Sequence, residues 1–250
     1  YNQALTIRQE IKDHDGEGEA LNNIAAAYSS LGKKEQALEY YTRALPLRRA
    51  GADRAAEAAT LGNIGWTYST LGDMQRAKEY YHQSLRLRRA AGLRDGEANA
   101  LIGLGTIYGL TGESEQSLDY LYQALRISRG INDRRGEAFA LYNIGKIQAS
   151  LGEREKALDV FAQALDLFRA IPNRSSEAMT LNSLGALEES SGDKGKALDF
   201  YDQALSIWRA VGDSYGEAYA LLSLGKLHSG SNENQKAPDY YNQALALFRK

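Results

Sequence analysis

Apolar residues recur along this chain with the spacing of one helical face. Leu61, Ile64 and Tyr68 lie at positions i, i+3 and i+7, which share one side of a helix at about 100° per residue. The following segment, residues 77–85, has the same periodicity. Gly72 separates the two, and glycine commonly adopts the left-handed conformation that ends a helix. The pattern predicts an antiparallel pair of helices, called helix A and helix B below.

This pair recurs at a fixed interval through the whole sequence. The central leucine of helix A returns every 40 residues without insertion or deletion, at Leu21, Leu61, Leu101, Leu141, Leu181 and Leu221. Self-similarity of this kind is typical of helical-repeat solenoids. We expect an all-α fold of about 13 helices, a right-handed superhelical solenoid of antiparallel helix pairs. We also expect a single array over residues 1–250, made of a partial helix B at 1–13 and repeats at 16–50, 56–90, 96–130, 136–170, 176–210 and 216–250.

Small and capping residues support this assignment. Gly65 and Ala77 lie in the apolar faces and predict a close approach of the paired helices. Asp73 and Asp193 are suited to the N-cap of helix B. Pro46 lies inside a predicted helix B, where the loss of a backbone donor predicts a kink or an early break.

Composition narrows the functional classes. The net charge is −2, and acidic and basic residues are mixed along the chain. The sequence therefore predicts no basic surface of the kind that binds nucleic acid or an anionic membrane. No apolar run approaches the roughly 18 residues of a membrane span. The absence of cysteine excludes disulfides and thiolate metal sites, and it agrees with a reducing cytoplasm, the predicted location. The first residues show no secretory signal.

No group of residues indicates catalysis. His14, His82 and His228 fall at different phases of the repeat: a connection, the exposed side of helix B, and the tyrosine position of helix A. They are not expected to converge on a metal or a nucleophile. The segment 103–105, Gly-Leu-Gly, has no strand before it and does not indicate a phosphate loop. We predict no enzymatic activity, no cofactor and no metal.

The repeat frame resembles a known family. Its copies have Leu-x-x-Ile/Leu-Gly-x-x-Tyr, then Leu-Gly, then Ala-x-x-Tyr-Tyr-x-x-Ala-Leu, which is similar to the tetratricopeptide repeat over essentially the whole chain. The copies are 40 residues long and lack the proline near the end of helix B, unlike the prototype of about 34 residues. The longer variant resembles the repeats of kinesin light chain, of the Pins/LGN adaptors and of cyanobacterial arrays fused to CHAT or NTPase domains.

Asparagine recurs on the side of helix A that faces away from the core. It is a mediocre helix former, so these positions suggest a use other than local structure. A carboxamide donates and accepts, so a row of carboxamides could pair with the backbone of any extended peptide. Alternatively, the same groups could bond to a neighbouring helix and set the stacking of repeats. The candidate contact residues are Asn22, Asn23, Asn63, Trp66, Asn99, Phe139, Tyr142, Asn143, Lys146, Asn182, Tyr219 and Lys226.

The resemblance implies what this surface does. In the family, helix A lines a concave groove that binds peptides, so we expect a protein-protein interaction scaffold for an extended or helical segment of a protein ligand. One alternative is a sensor or autoinhibitory arm of a larger regulator of the CHAT protease or NTPase type; a less favoured one is an RNA-binding helical repeat. The final helix repeats the first, with Tyr-Asn-Gln-Ala-Leu in both, and its apolar residues predict end-to-end self-association.

Overall fold

The protein consists entirely of helices in the part of the chain that the structure describes. The computed structural model describes residues 1–229 and 236–249. Within these ranges there are 13 helices and no strand, which confirms the predicted all-α repeat fold. They are α1 (Asn2–Glu10), α2 (His14–Ser30), α3 (Lys34–Ala50), α4 (Arg54–Thr70), α5 (Met74–Ala90), α6 (Arg94–Leu110), α7 (Ser114–Gly130), α8 (Arg134–Ser150), α9 (Arg154–Ala170), α10 (Arg174–Ser190), α11 (Lys194–Val211), α12 (Ser214–Ser229) and α13 (Ala237–Phe248).

Helices of type A and type B alternate along the chain. The even-numbered helices correspond to helix A and the odd-numbered ones to helix B. The chain forms two compact units, Tyr1–Gly136 and Glu137–Lys250, called unit 1 and unit 2. In each unit, consecutive helices pack against each other.

The core lies between helix A and helix B of the same repeat. In α4, Leu61 and Ile64 are each only 1% exposed. A β-carbon added at Gly65 would stand 2.8 Å from the ring of Tyr81 in α5. Gly185 bears the same relation to Tyr201, at 2.6 Å. The predicted close approach is therefore confirmed: an aromatic ring of helix B occupies the space that a side chain on helix A would need.

The predicted helix ends are also confirmed. Gly72 has a φ of 85°, the left-handed conformation expected after helix A. Asp73 accepts a hydrogen bond from the backbone N–H of Arg76 at 3.0 Å, and Asp193 accepts one from Lys196 at 3.1 Å. These N-H donors lower the pKa of both carboxyl groups, because they favour the charged form.

The connections from helix B to the next helix A are of two kinds. In one, a residue with positive φ turns the chain; this position is occupied by Lys12, Gly92, Asn132 and Gly212. In the other kind, the turn has no residue with positive φ, and the residue one position earlier has an extended backbone; these residues are Gly51 and Ile171. The second kind precedes Ala52 and Pro172, and proline cannot adopt a positive φ.

Pro46 does not interrupt its helix. Helix α3 continues through Pro46 to Ala50 and has 17 residues, the same length as α5. The early break considered from the sequence is therefore not found. Packing of the rest of the helix, in which Ala44 and Leu45 are buried, offsets the loss of one backbone donor.

A polar network that the repeat pattern alone did not reveal joins successive repeats. Near the end of helix B, Arg49 Nε lies 3.2 Å from Glu57 Oε1 in the next helix A, and Arg49 Nη2 donates to Gln83 Oε1 in the next helix B, also at 3.2 Å. Arg54 completes the pairing of Glu57 at 2.9 Å. The arrangement recurs at Arg89, Glu97 and Gln123 and again at Arg209, Glu217 and Gln243.

His82 is part of a second contact between repeats. It was expected on the exposed side of helix B, but its ring lies edge-on to Tyr108 and Tyr120, with centroids at 6.3 and 6.0 Å. The Lys78 ammonium lies 4.2 Å from the centroid of the Tyr108 ring. The expectation was wrong because the helices of the next repeat cover this side of α5. Burial, with Arg86 and Lys78 nearby, lowers the pKa of His82.

Candidate functional site

In unit 1, three of the predicted contact residues line one cleft between successive A helices. Asn63 and Trp66 of α4 and Asn99 of α6 surround a cleft of about 490 Å³. Tyr81 and Arg88 of α5 also line it. The structure therefore brings Asn63 and Asn99, which are 36 residues apart in the sequence, to the same cleft. The cleft exposes carboxamide, aromatic and guanidinium groups.

Trp66 provides the main apolar surface of this cleft. Its side chain is 44% exposed, which is unusual for tryptophan in a helix with a buried face. The Lys34 ammonium lies 4.2 Å from the ring centroid, the geometry of a cation–π contact. The same lysine donates to the backbone oxygen of Ser29 at 2.6 Å, which fixes its position. Trp66 is thus held in place on one side and remains accessible.

The asparagines of unit 1 fall into two groups. Thr60 of α4 donates a hydrogen bond to Asn22 Oδ1 of α2 at 3.1 Å, so Asn22 links two neighbouring A helices. By contrast, the side chains of Asn23, Asn63 and Asn99 make no hydrogen bond to any described residue. The stacking role considered from the sequence therefore applies to Asn22, while the other three carboxamides keep their hydrogen-bonding groups unused.

Unit 2 contains a comparable cleft between α10 and α12. It has a volume of about 350 Å³, and Asn182, Glu189, Tyr219 and Lys226 line its walls. Tyr201 of α11 lies beneath them. Tyr219 is 55% exposed, whereas Asn182 is only 7% exposed. Three of the predicted contact residues thus meet in this cleft, together with a carboxylate.

The predicted contact residues of α8 are arranged differently. Tyr142 is 9% exposed and its ring packs against Phe161 with centroids 5.9 Å apart, so it presents little surface to a ligand. Phe139 packs edge-on against Phe168 at 5.2 Å. Asn143 donates to the backbone oxygen of Phe139, one turn earlier in the same helix. Lys146 is exposed.

Among the described residues, no cluster of three or more histidine, aspartate and glutamate side chains could hold a metal ion. No described helix has the length and apolar character to span a membrane.

Paired helices recur with a fixed period of 40 residues, and clefts lie between successive A helices. These features define a helical-repeat solenoid protein. One tetratricopeptide repeat model matches residues 1–50, 96–170 and 175–250, and a second one matches residues 58–91. The chain belongs to the tetratricopeptide repeat family. No curated protein sequence matches it significantly.

Several solved structures share the fold. A Rap protein complexed with Competence and Sporulation Factor has a TM-score of 0.76 at 17% identity, over 94% of this chain and 73% of that chain. A putative kinesin light chain repeat protein of Podosopora anserina has a TM-score of 0.61 at 14% identity, over 80% and 98%. A signal transduction ATPase with a tetratricopeptide repeat sensor, from Pyrococcus horikoshii, has a TM-score of 0.71 at 18% identity, over 100% and 38%.

Proposed function

We propose that this protein is an interaction scaffold that holds a peptide segment of a partner protein across its A helices. The observation that carries the proposal is the cleft of unit 1. There, the carboxamides of Asn63 and Asn99 lie on successive A helices without a hydrogen-bond partner among the described residues, and the exposed ring of Trp66 lies beside them.

The chemistry of these groups suits a peptide backbone. Each carboxamide can donate to a carbonyl oxygen and accept from an N–H, whatever the side chains of the ligand are. Neighbouring helices are about 10 Å apart and an extended strand advances about 3.3 Å per residue, so one step between A helices corresponds to about three ligand residues. Trp66 would add an apolar anchor, the kind of residue that dominates binding energy in interfaces.

Relatives with the same fold support a peptide ligand. Two Rap-type proteins with this fold have been solved as complexes, one with Competence and Sporulation Factor and one with the Phr* peptide. The net charge of −2 offers no general attraction to nucleic acid, so we propose protein partners only. A sensor arm within a larger regulator would use the same clefts, with a segment of that regulator as the occupant. A cytoplasmic location stays a prediction.

The test compares two kinds of asparagine. Peptides would be selected from a random display library on the unaltered protein, and their affinities measured against the double variant Asn63→Ala/Asn99→Ala. We expect affinity to fall about tenfold or more, since two ligand hydrogen bonds of roughly 1 kcal/mol each are lost. The melting temperature should not fall, because neither carboxamide hydrogen-bonds to a described residue and alanine is the better helix former.

Asn22→Ala is the matched control. It removes the hydrogen bond from Thr60, so it should lower the melting temperature by a few degrees without the loss of affinity. Equal affinities for the double variant and the unaltered protein would contradict the proposal. So would a library that yields no binding peptide.

A further inference from the structure

Glu189 stands out from the repeat frame. It occupies the cleft of unit 2 at a position where the other repeats have only small uncharged residues, Ser29, Ser69, Gly109, Ala149 and Ser229. Core packing does not require a carboxylate there, since five copies of the frame do without it. Its presence therefore indicates a purpose specific to this cleft.

The structure holds this carboxylate in a fixed position. Tyr201, only 1% exposed, donates from Oη to Glu189 Oε2 at 2.8 Å. Burial and the neighbouring Glu189 raise the pKa of Tyr201, so its hydroxyl keeps its proton and remains a donor. Gly185 permits this arrangement because a β-carbon there would lie 2.6 Å from the Tyr201 ring. The buried hydroxyl of Tyr201 thus fixes the orientation of the Glu189 carboxylate.

Most of the hydrogen-bonding capacity of Glu189 is unused. A carboxylate can accept about four hydrogen bonds, and Tyr201 is the one described residue that donates to it. Lys226 Nζ lies 3.5 Å from Oε1, and its side chain is 75% exposed, so this ion pair is loose and screened by water. In the same cleft, Asn182 is 7% exposed, and its Oδ1 is buried without a hydrogen-bond partner among the described residues.

The cleft also offers an aromatic face. Tyr219 is 55% exposed at its wall. A planar cation can stack on such a ring while its N–H groups reach a carboxylate. An anionic group would instead be repelled by the Glu189 carboxylate, and the exposed Lys226 is already paired with that carboxylate.

We infer that the cleft between α10 and α12 binds an arginine side chain of the peptide ligand. The guanidinium would donate to Glu189 and stack on Tyr219, while Lys226 moves into solvent. Arginine is preferred to lysine because its planar fork matches a carboxylate and stacks on a ring, whereas an ammonium is a compact, strongly hydrated charge. This inference rests on the proposed peptide-binding function and names a specificity of the same surface.

A small probe tests the site without a known ligand. N-acetyl-arginine amide would be titrated into the ¹⁵N-labelled protein and its affinity obtained from chemical-shift changes at residues of the cleft. N-acetyl-citrulline amide, which has nearly the same shape but no charge, is the comparison. We expect shifts at Ser223 and Lys226 with the arginine probe and at least about tenfold weaker binding of citrulline, because the charge-assisted hydrogen bonds are lost.

Variants of the cleft sharpen the test. Glu189→Gln can still accept the Tyr201 hydrogen bond but lacks the charge, so the arginine probe should bind at least about tenfold more weakly. Glu155→Gln, an exposed carboxylate on α9, changes the net charge equally and should leave binding unaltered. Lys226→Met removes the competing cation and should make binding tighter.

The outcomes separate this inference from the proposed function. Equal binding of arginine and citrulline, or no effect of Glu189→Gln, would overturn the arginine site even if library peptides bind through Asn63 and Asn99. If Glu189→Gln fails to fold, the Lys226→Met variant still tests the arginine site, because weaker binding of the arginine probe by that variant would overturn it. Specific arginine binding without any library peptide would retain the site and reject the extended-peptide groove.

Discussion

At the residue scale, two glycines of α4 have opposite roles although they are three positions apart. A β-carbon at Gly65 would lie 2.8 Å from the Tyr81 ring, whereas one at Gly62 would lie 3.5 Å from Ser84 Oγ, an ordinary contact. The first glycine is required by packing. The second lines the cleft of unit 1 and is not required by packing.

Alanine substitutions should separate these roles. Gly65→Ala should destabilise the protein by about 1–3 kcal/mol through overpacking. Gly62→Ala should be neutral or stabilise it by up to about 1 kcal/mol, since alanine is the better helix former. Thermal and urea denaturation of both variants measures the difference, and similar losses of stability for the two would show that Tyr81 does not set the spacing.

His82 should make stability depend on pH. Its pKa is lowered in the folded protein, so folding favours the neutral ring. This stabilisation is fully present above the histidine pKa of the unfolded chain, about 6.5. It is lost as the pH falls from there through the lower pKa of the folded protein. Between pH 7.5 and 5.5, the unaltered protein should therefore lose more stability in urea denaturation than His82→Gln. Parallel losses in both proteins would exclude this role, because the other titrating groups are shared.

Sequence reasoning at this scale succeeded where one helix decides the outcome. The capping role of Asp73 and the positive φ of Gly72 depend on neighbours within a few residues. It failed for His82, whose surroundings come from Tyr108 and Tyr120, 26 and 38 residues away. A helical period shows which side of a helix is apolar. It does not show which residues of another repeat cover the remaining sides.

At the scale of elements, a glutamate in the first turn connects α4, α6, α10 and α12 to the preceding helix B. Glu97 is 5% exposed and lies between Arg89 at 2.8 Å and Arg94 at 3.1 Å. A glutamate in the first turn of a helix also complements the helix dipole. The partner at the end of the preceding helix B could have been noticed, because arginine precedes glutamate by eight residues in several copies.

Replacing Glu97 by glutamine should loosen the start of α6. Two charge-assisted hydrogen bonds are lost and the arginines remain, so we expect a destabilisation of about 1–3 kcal/mol, limited because both arginines are about half exposed. Glu217→Gln should cost less: Ser214 replaces the second arginine, and this glutamate is 21% exposed. Hydrogen exchange at the first turns of α6 and α12 measures each effect, and a larger effect at Glu217 would contradict this ranking.

At the scale of the whole molecule, the first and last helices expose apolar side chains. Leu245 and Phe248 of α13 are 46% and 49% exposed, and Ile7 of α1 is 55% exposed. Neighbouring repeats cover the equivalent faces of internal helices. Exposed apolar groups of this kind favour association.

Self-association should therefore increase with concentration. We expect sedimentation velocity to show a rising average mass for the unaltered protein, and Leu245→Glu to remain monomeric because a charge on this face disfavours contact. If the unaltered protein sediments as a single monomeric species over the whole concentration range, the prediction is wrong. Circular dichroism of Leu245→Glu serves as the control for its fold.

The ionic links between repeats bear on how such a chain can change its length. Arg49 reaches Glu57 and Gln83, which follow it by 8 and 34 residues, and Arg89 reaches Glu97 and Gln123 at the same offsets. Excision of residues 54–93 would set Arg49 at these same offsets from Glu97 and Gln123. An in-frame loss of these 40 codons would thus regenerate the junction with partners that are already encoded, so an array of different length is accessible in a single genetic event.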